Sequence, residues 1–229
     1  MAIALLIVDP EDILFSGRPL RIRALAEALE HSRASGNREI PAEGRLDYSY
    51  LAERIEQSID ASPALFRKEE RLRQLLQDVE AAHCRRIETE ALEAYAPIDT
   101  FFREMQNAGR ELALYSHCSR DALLALVERL QLESLFRFLA CTADAGRHTT
   151  GGALPDILEH LQFFPEECLL LSNNRLILSQ ARAMNILCAA CGWGNPAREA
   201  AERADFIAGS PDALREWVQK ADLTEGYHP

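Results

Sequence analysis

Residues 2–8 (AIALLIV) form an unbroken apolar run that stops at the carboxylates Asp9, Glu11 and Asp12. No other stretch limits the fold as tightly. The run is too short for a buried helix, is aliphatic with β-branched members, and is closed by Pro10, so it reads as a strand covered on both faces, as in a parallel sheet layered between helices. In an open α/β sheet, ligands and chemistry gather in the crevice at the carboxyl ends of the strands, and Asp9 would project there. An acid also ends a strand simply because a turn begins, so the remaining segments must decide between a structural and a functional Asp9.

After a breaker cluster at residues 16–19, apolar residues recur at helical spacing over 20–29, 48–59, 65–79 and 87–95, with no strand pattern between them. A helical block inserted directly after the first strand cannot lie within the sheet, so residues 17–96 read as a separate helical cap closing over Asp9. From Pro97 the period changes. Helices are expected over 98–108, 121–130, 155–161, 174–184 and 211–219, alternating with strands over 111–115, 136–141, 168–171, 186–190 and 205–208. Strand and helix alternating through short loops predict an α/β fold with a doubly wound parallel sheet and right-handed crossovers, its core made of residues 1–16 and 97–229.

The formal net charge of −11 disfavours nucleic acid and anionic lipid as partners, since both require a basic surface. The apolar run 2–8 lacks a basic leader and runs into acids, and no stretch approaches the ~18 apolar residues of a membrane span. The expected location is the cytoplasm. Six cysteines are scattered through apolar segments, which suits reduced core thiols. Cys188 and Cys191 form a CxxC, a redox or zinc signal only if a second ligand pair accompanies it. None does at ligand spacing, so the pair is expected to be reduced and metal-free.

Three polar clusters fall at carboxyl strand ends: Asp9, then Ser116-His117, then Ser172-Asn173-Asn174. With these, the stretches 97–116 (PIDTFFREMQNAGRELALYS), 153–157, 164–168, 180–183 and 192–194 (GWG), the chain resembles the haloacid dehalogenase superfamily, in particular phosphoglycolate-phosphatase-like hydrolases with a helical cap after the first strand. The cap is similar only in position and helicity. The resemblance implies the fold just described, an aspartyl-phosphate mechanism and Mg²⁺ as cofactor.

The family's motifs are kept unevenly. The first has two aspartates one residue apart followed by Gly-Thr; Asp9 falls on the nucleophile, Glu11 on the acid that protonates the leaving group, and Asp12-Ile13 on the Gly-Thr pair, which would remove a flexible turn and a hydroxyl. Ser116, with His117 beside it, falls on the hydroxyl that holds phosphoryl oxygens, expected at a helix N-terminus. The third motif's lysine falls on Gly152, and no lysine occurs between Lys68 and Lys220; Arg147, His148 or Arg175 could stand in for it or solvate a loop. The fourth motif's metal-binding acids fall on Asn173 and Ile177.

Phosphoryl transfer is largely positioning and charge neutralisation, so a carboxylate approaches a phosphate dianion only among cations. One charge contact at ~4 Å is worth ~4 kcal/mol at an effective dielectric near 20, or ~10³ in rate. With lysine and acids replaced, Mg²⁺ would be left with Asp9, Glu11, the Asn173 amide oxygen and water, a weak set for a hard cation, which Asn173→Asp would be expected to strengthen. The resulting reading is a pseudophosphatase that binds an anionic, phosphorylated metabolite or a protein partner through Ser116, His117, Asn173 and Asn174. One alternative is a slow Mg²⁺-dependent phosphatase acting through Asp9 and Glu11. Another is a 2-haloacid dehalogenase, whose Ser-Asn signature is similar to residues 172–174 but whose lysine and following aspartate are missing.

Overall fold

The computed structural model describes residues 2–34, 63–95, 98–116, 118–141, 154–194 and 198–223. The helix expected over 48–59 lies outside these. The chain divides into two compact units, one made of residues 1–17 and 91–229, the other of residues 18–90.

The first unit is the α/β fold. Strands β1 (Leu5–Val8), β2 (Glu111–Ser116), β3 (Phe138–Cys141), β4 (Cys168–Leu171), β5 (Leu187–Cys191) and β6 (Phe206–Ala208) make one all-parallel sheet in the order β3-β2-β1-β4-β5-β6. β1 and β4 are wholly buried, which is why both are continuous apolar runs rather than alternating ones. Ile7 lies level with Ala113 on one side and Leu170 on the other. The first three strands build outward from β1 in one direction and the last three in the other, so the chain reverses between β1 and β4. Such a switch point opens a crevice at the carboxyl strand ends.

Helices cover the sheet. Ile98, Phe101, Phe102 and Met105 are buried along α3 (Ile98–Asn107), a helical stripe that the sequence spacing anticipates. One face of the sheet, bearing Leu5, Ile7, Ala113, Tyr115, Leu170 and Cys188, packs with residues of α5 (Leu154–Leu161) and α6 (Arg175–Ala183) into a single core. α4 (Arg120–Arg129), the short α7 (Arg198–Ala201) and α8 (Pro211–Leu223) complete the layers, and Trp217 of α8 stacks on Phe206 of edge strand β6 at 5.0 Å. Both cysteines of the CxxC lie on β5. Residues three apart on a strand point to opposite faces, so the two buried thiols diverge.

The second unit contains α1 (Arg18–Ala34) and α2 (Pro63–Thr89). Ala24, Ala28 and Leu29 meet Leu75, Val79 and Ala82 along a close-packed seam. Glu27 bridges Arg85 and Arg86 at 2.8 and 2.6 Å, and Glu90 pairs with Arg23 and Arg86. Hydrogen bonds from Arg85 and Arg86 hold the Glu27 carboxyl below its usual range.

The spacing suggests separate helices over 65–79 and 87–95; the structure joins the first to residue 89 and ends it there. Residues 80–86 contain neither Gly nor Pro, so nothing interrupts the helix. Residues 91–95 instead belong to the α/β unit, where Ala94 bridges Phe15, the Ser16 N–H donates to the Glu93 carbonyl and the Tyr95 N–H to the Leu14 carbonyl, both at 2.9 Å. Among the described residues no helix is long and apolar enough to cross a membrane.

Candidate functional site

Asp9 follows β1 directly and is only 5% exposed. Its N–H continues the sheet ladder by donating to the Leu171 carbonyl at 2.9 Å. Extending the register by one residue sets Asp9 level with Tyr115 and Ser172, on the face that carries the core. There the fully buried Ser172 hydroxyl donates to Asp9 Oδ2 at 2.7 Å, a length typical of a charge-assisted bond to a carboxylate. The same Ser172 oxygen accepts the Asn174 N–H at 2.9 Å, so it is oriented from both sides. Burial, with the Asp9 charge as a second cause, pushes the Tyr115 phenol up to about 12 and raises the Cys191 thiol. The surroundings of Asp9 are therefore poor in water, where each charge counts for more than at the surface.

The segment after β1 turns sharply. Asp12 sits in the left-handed region at φ 59°, which Asp tolerates better than most residues, and its Oδ1 accepts the Gly17 N–H at 3.0 Å. A left-handed turn residue thus stands at the position where the resemblance places the family's glycine, and it is an aspartate. Glu11 folds its side chain over Gly17, so closely that a Cβ on Gly17 would overlap Glu11 Cγ.

Three attachments hold this loop from the ends of β4 and β5. Asn173 Nδ2 donates to the Cys191 carbonyl at 2.9 Å and to the Asp12 carbonyl at 3.3 Å, while its Oδ1 accepts the Cys191 N–H at 2.8 Å. Trp193 Nε1 donates to the Ile13 carbonyl at 3.1 Å. Gly194 lies so close to the Asp12 carbonyl that any Cβ there would overlap it. Residue pairs as much as 180 positions apart meet here.

The other expected site residues take structural contacts. Ser116 is 3% exposed and its oxygen accepts the Cys118 N–H at 3.1 Å; the N-terminus of α4 is capped by Ser119 rather than by Ser116. Asn174 caps α6, accepting the Leu176 N–H at 2.9 Å. Ile177, at the last metal-binding position of the family motif, is buried in the core. His117, Arg147, His148 and Gly152 lie outside the described residues.

These side chains do not make a tight Mg²⁺ site. The Asn173 amide oxygen expected to face a cation already accepts an N–H, and Asp9 Oδ2 already accepts a hydroxyl. Among the described residues no group of three or more His, Cys, Asp or Glu could hold a metal ion. Of this set only Asp9 and Glu11 offer anionic oxygens, so water would have to fill most of the octahedron that Mg²⁺ requires.

The sheet order, the switch point at Asp9 and the flanking helices define the class: this is the fold of haloacid dehalogenase-like hydrolases. A haloacid dehalogenase-like hydrolase from Streptococcus pneumoniae shares it with a TM-score of 0.70 at 12% identity, over 94% of this chain and 98% of its own. A hydrolase from Pseudomonas syringae gives 0.68 at 15% identity, over 95% and 98%. CbbY from Rhodobacter sphaeroides, solved in complex with phosphate, gives 0.63 at 19% identity, over 93% and 96%. No protein-family model matches the sequence, and comparison with curated proteins found no match.

Proposed function

We propose that this chain is a phosphatase-fold protein that binds rather than hydrolyses, a pseudophosphatase whose ligand is a small phosphorylated anion or a protein partner. The observation that carries the reading is the Asn173 amide: at the position of a metal-binding acid it is engaged on both sides with backbone. A phosphate approaching Asp9 would meet a buried carboxylate without the lysine or the acid-bound cation that phosphoryl transfer needs to neutralise it. The buried free thiols agree with a reducing compartment such as the cytoplasm.

The Ser172–Asp9 bond favours a second reading, because it orients a carboxylate at the switch point. In that reading a carboxylate oxygen of Asp9 attacks phosphorus, the ester P–O bond breaks with its electrons leaving on the alcohol oxygen, and Glu11 supplies the proton. Water, giving a proton back to Glu11, then attacks the phosphorus of the acyl phosphate, the Asp9–phosphorus bond breaks, and inorganic phosphate leaves with Asp9 and Glu11 restored.

Hydrolysis of p-nitrophenyl phosphate in millimolar Mg²⁺, with inorganic phosphate binding followed by calorimetry, separates the two. The expected result is turnover no higher for wild type than for Asp9→Asn. Mg²⁺-dependent turnover that Asp9→Asn abolishes would establish the phosphatase instead.

A further inference from the structure

We infer that Asn173 is a metal-independent clamp that fixes the loop following Asp9, a positioning residue acting through Asp12. Its planar amide supplies two donors and one acceptor, and each is matched: the Cys191 carbonyl at 2.9 Å, the Asp12 carbonyl at 3.3 Å and the Cys191 N–H at 2.8 Å. A carboxylate has neither donor. Asn173→Asp would set negative oxygen against two carbonyls, leaving both unsatisfied in a partly buried position. The acid that would complete a metal set on sequence grounds therefore breaks the loop's attachment instead of building a site.

The neighbouring contacts make the clamp local and rigid. Trp193 holds the Ile13 carbonyl, and Gly194 closes against Asp12. Asp12 is in a left-handed turn whose side chain already accepts the Gly17 N–H. Asp12 and Ile13 are thus pinned three and four residues after Asp9, and the pins come from the ends of β4 and β5. The clamp stands whether or not the site turns over a phosphate.

The test is the side-chain amide of Asn173 in ¹⁵N-labelled full-length wild type. The clamp predicts slow hydrogen exchange of these protons and resonances that millimolar Mg²⁺ does not move. It also predicts a fall in unfolding midpoint of roughly 5–10 °C in Asn173→Asp, with no recovery on adding Mg²⁺. An Asn173 amide that exchanges as fast as an exposed asparagine, or that shifts with Mg²⁺, overturns the inference. So does an Asn173→Asp variant whose midpoint Mg²⁺ raises above that of wild type. If Asn173→Asp does not fold, the wild-type exchange and Mg²⁺ response decide alone.

Discussion

Asp9 and Ser172 share a hydrogen bond across 163 positions of chain. Removing the hydroxyl in Ser172→Ala leaves Asp9 Oδ2 buried without that donor, at a cost of about 1–3 kcal/mol. Urea unfolding of the variant measures it, and a loss below a few tenths would show that the bond contributes little. At this scale the sequence was informative about position and much less about role. The apolar run ending at Asp9 marks a strand end, and Ser172-Asn173-Asn174 marks another, because both are local patterns. That Asn174 caps a helix and Asn173 clamps a loop depends on which backbone groups arrive from elsewhere, and no spacing rule carries that.

Strands and amphipathic helices of the α/β unit were legible because burial leaves a period behind it, as in the run Leu5–Val8 and the stripe along α3. The end of α2 was not. Residues 87–95 hold helical spacing, yet 91–95 leave the helix because backbone groups of Leu14, Phe15 and Ser16 offer pairing partners distant in sequence. The meeting of the β1 loop with the turn after β5 is likewise a contact between elements. Gly194→Ala should strike it directly: a methyl group overlapping the Asp12 carbonyl drives the two segments apart, costing about 1–3 kcal/mol or more. Thermal unfolding gives the loss, and a red shift of the Trp193 emission marks the opening. A variant of wild-type stability and emission would show that the turn has room to move.

Across the whole α/β unit, buried thiols set a limit at high pH. Burial pushes Cys168 and Cys188 from an ordinary 9.0 up to about 12, with nearby acids adding to it. In the folded state these thiols stay neutral where the unfolded chain ionises, so their contribution is complete below pH 9 and is lost as pH rises from there through about 12. Each group steepens the fall by up to about 1.4 kcal/mol per pH unit. Denaturant titrations between these limits should show stability dropping with pH and a shallower slope in Cys188→Ala. An unchanged slope would mean the thiol ionises as readily folded as unfolded.

The sheet order places Asp9 at the switch point between β1 and β4, where this fold can do chemistry, and in the proposed function the site holds its carboxylate without turning over a phosphate. Fluoroberyllate, a mimic of a phosphoryl group bonded to aspartate, measures this most directly when followed by ¹⁹F NMR in Mg²⁺. A site without phosphoryl-transfer chemistry gives only the free-ion signals, identical in wild type and Asp9→Asn. Bound ¹⁹F resonances in wild type that vanish in Asp9→Asn and on removal of Mg²⁺ would contradict the account.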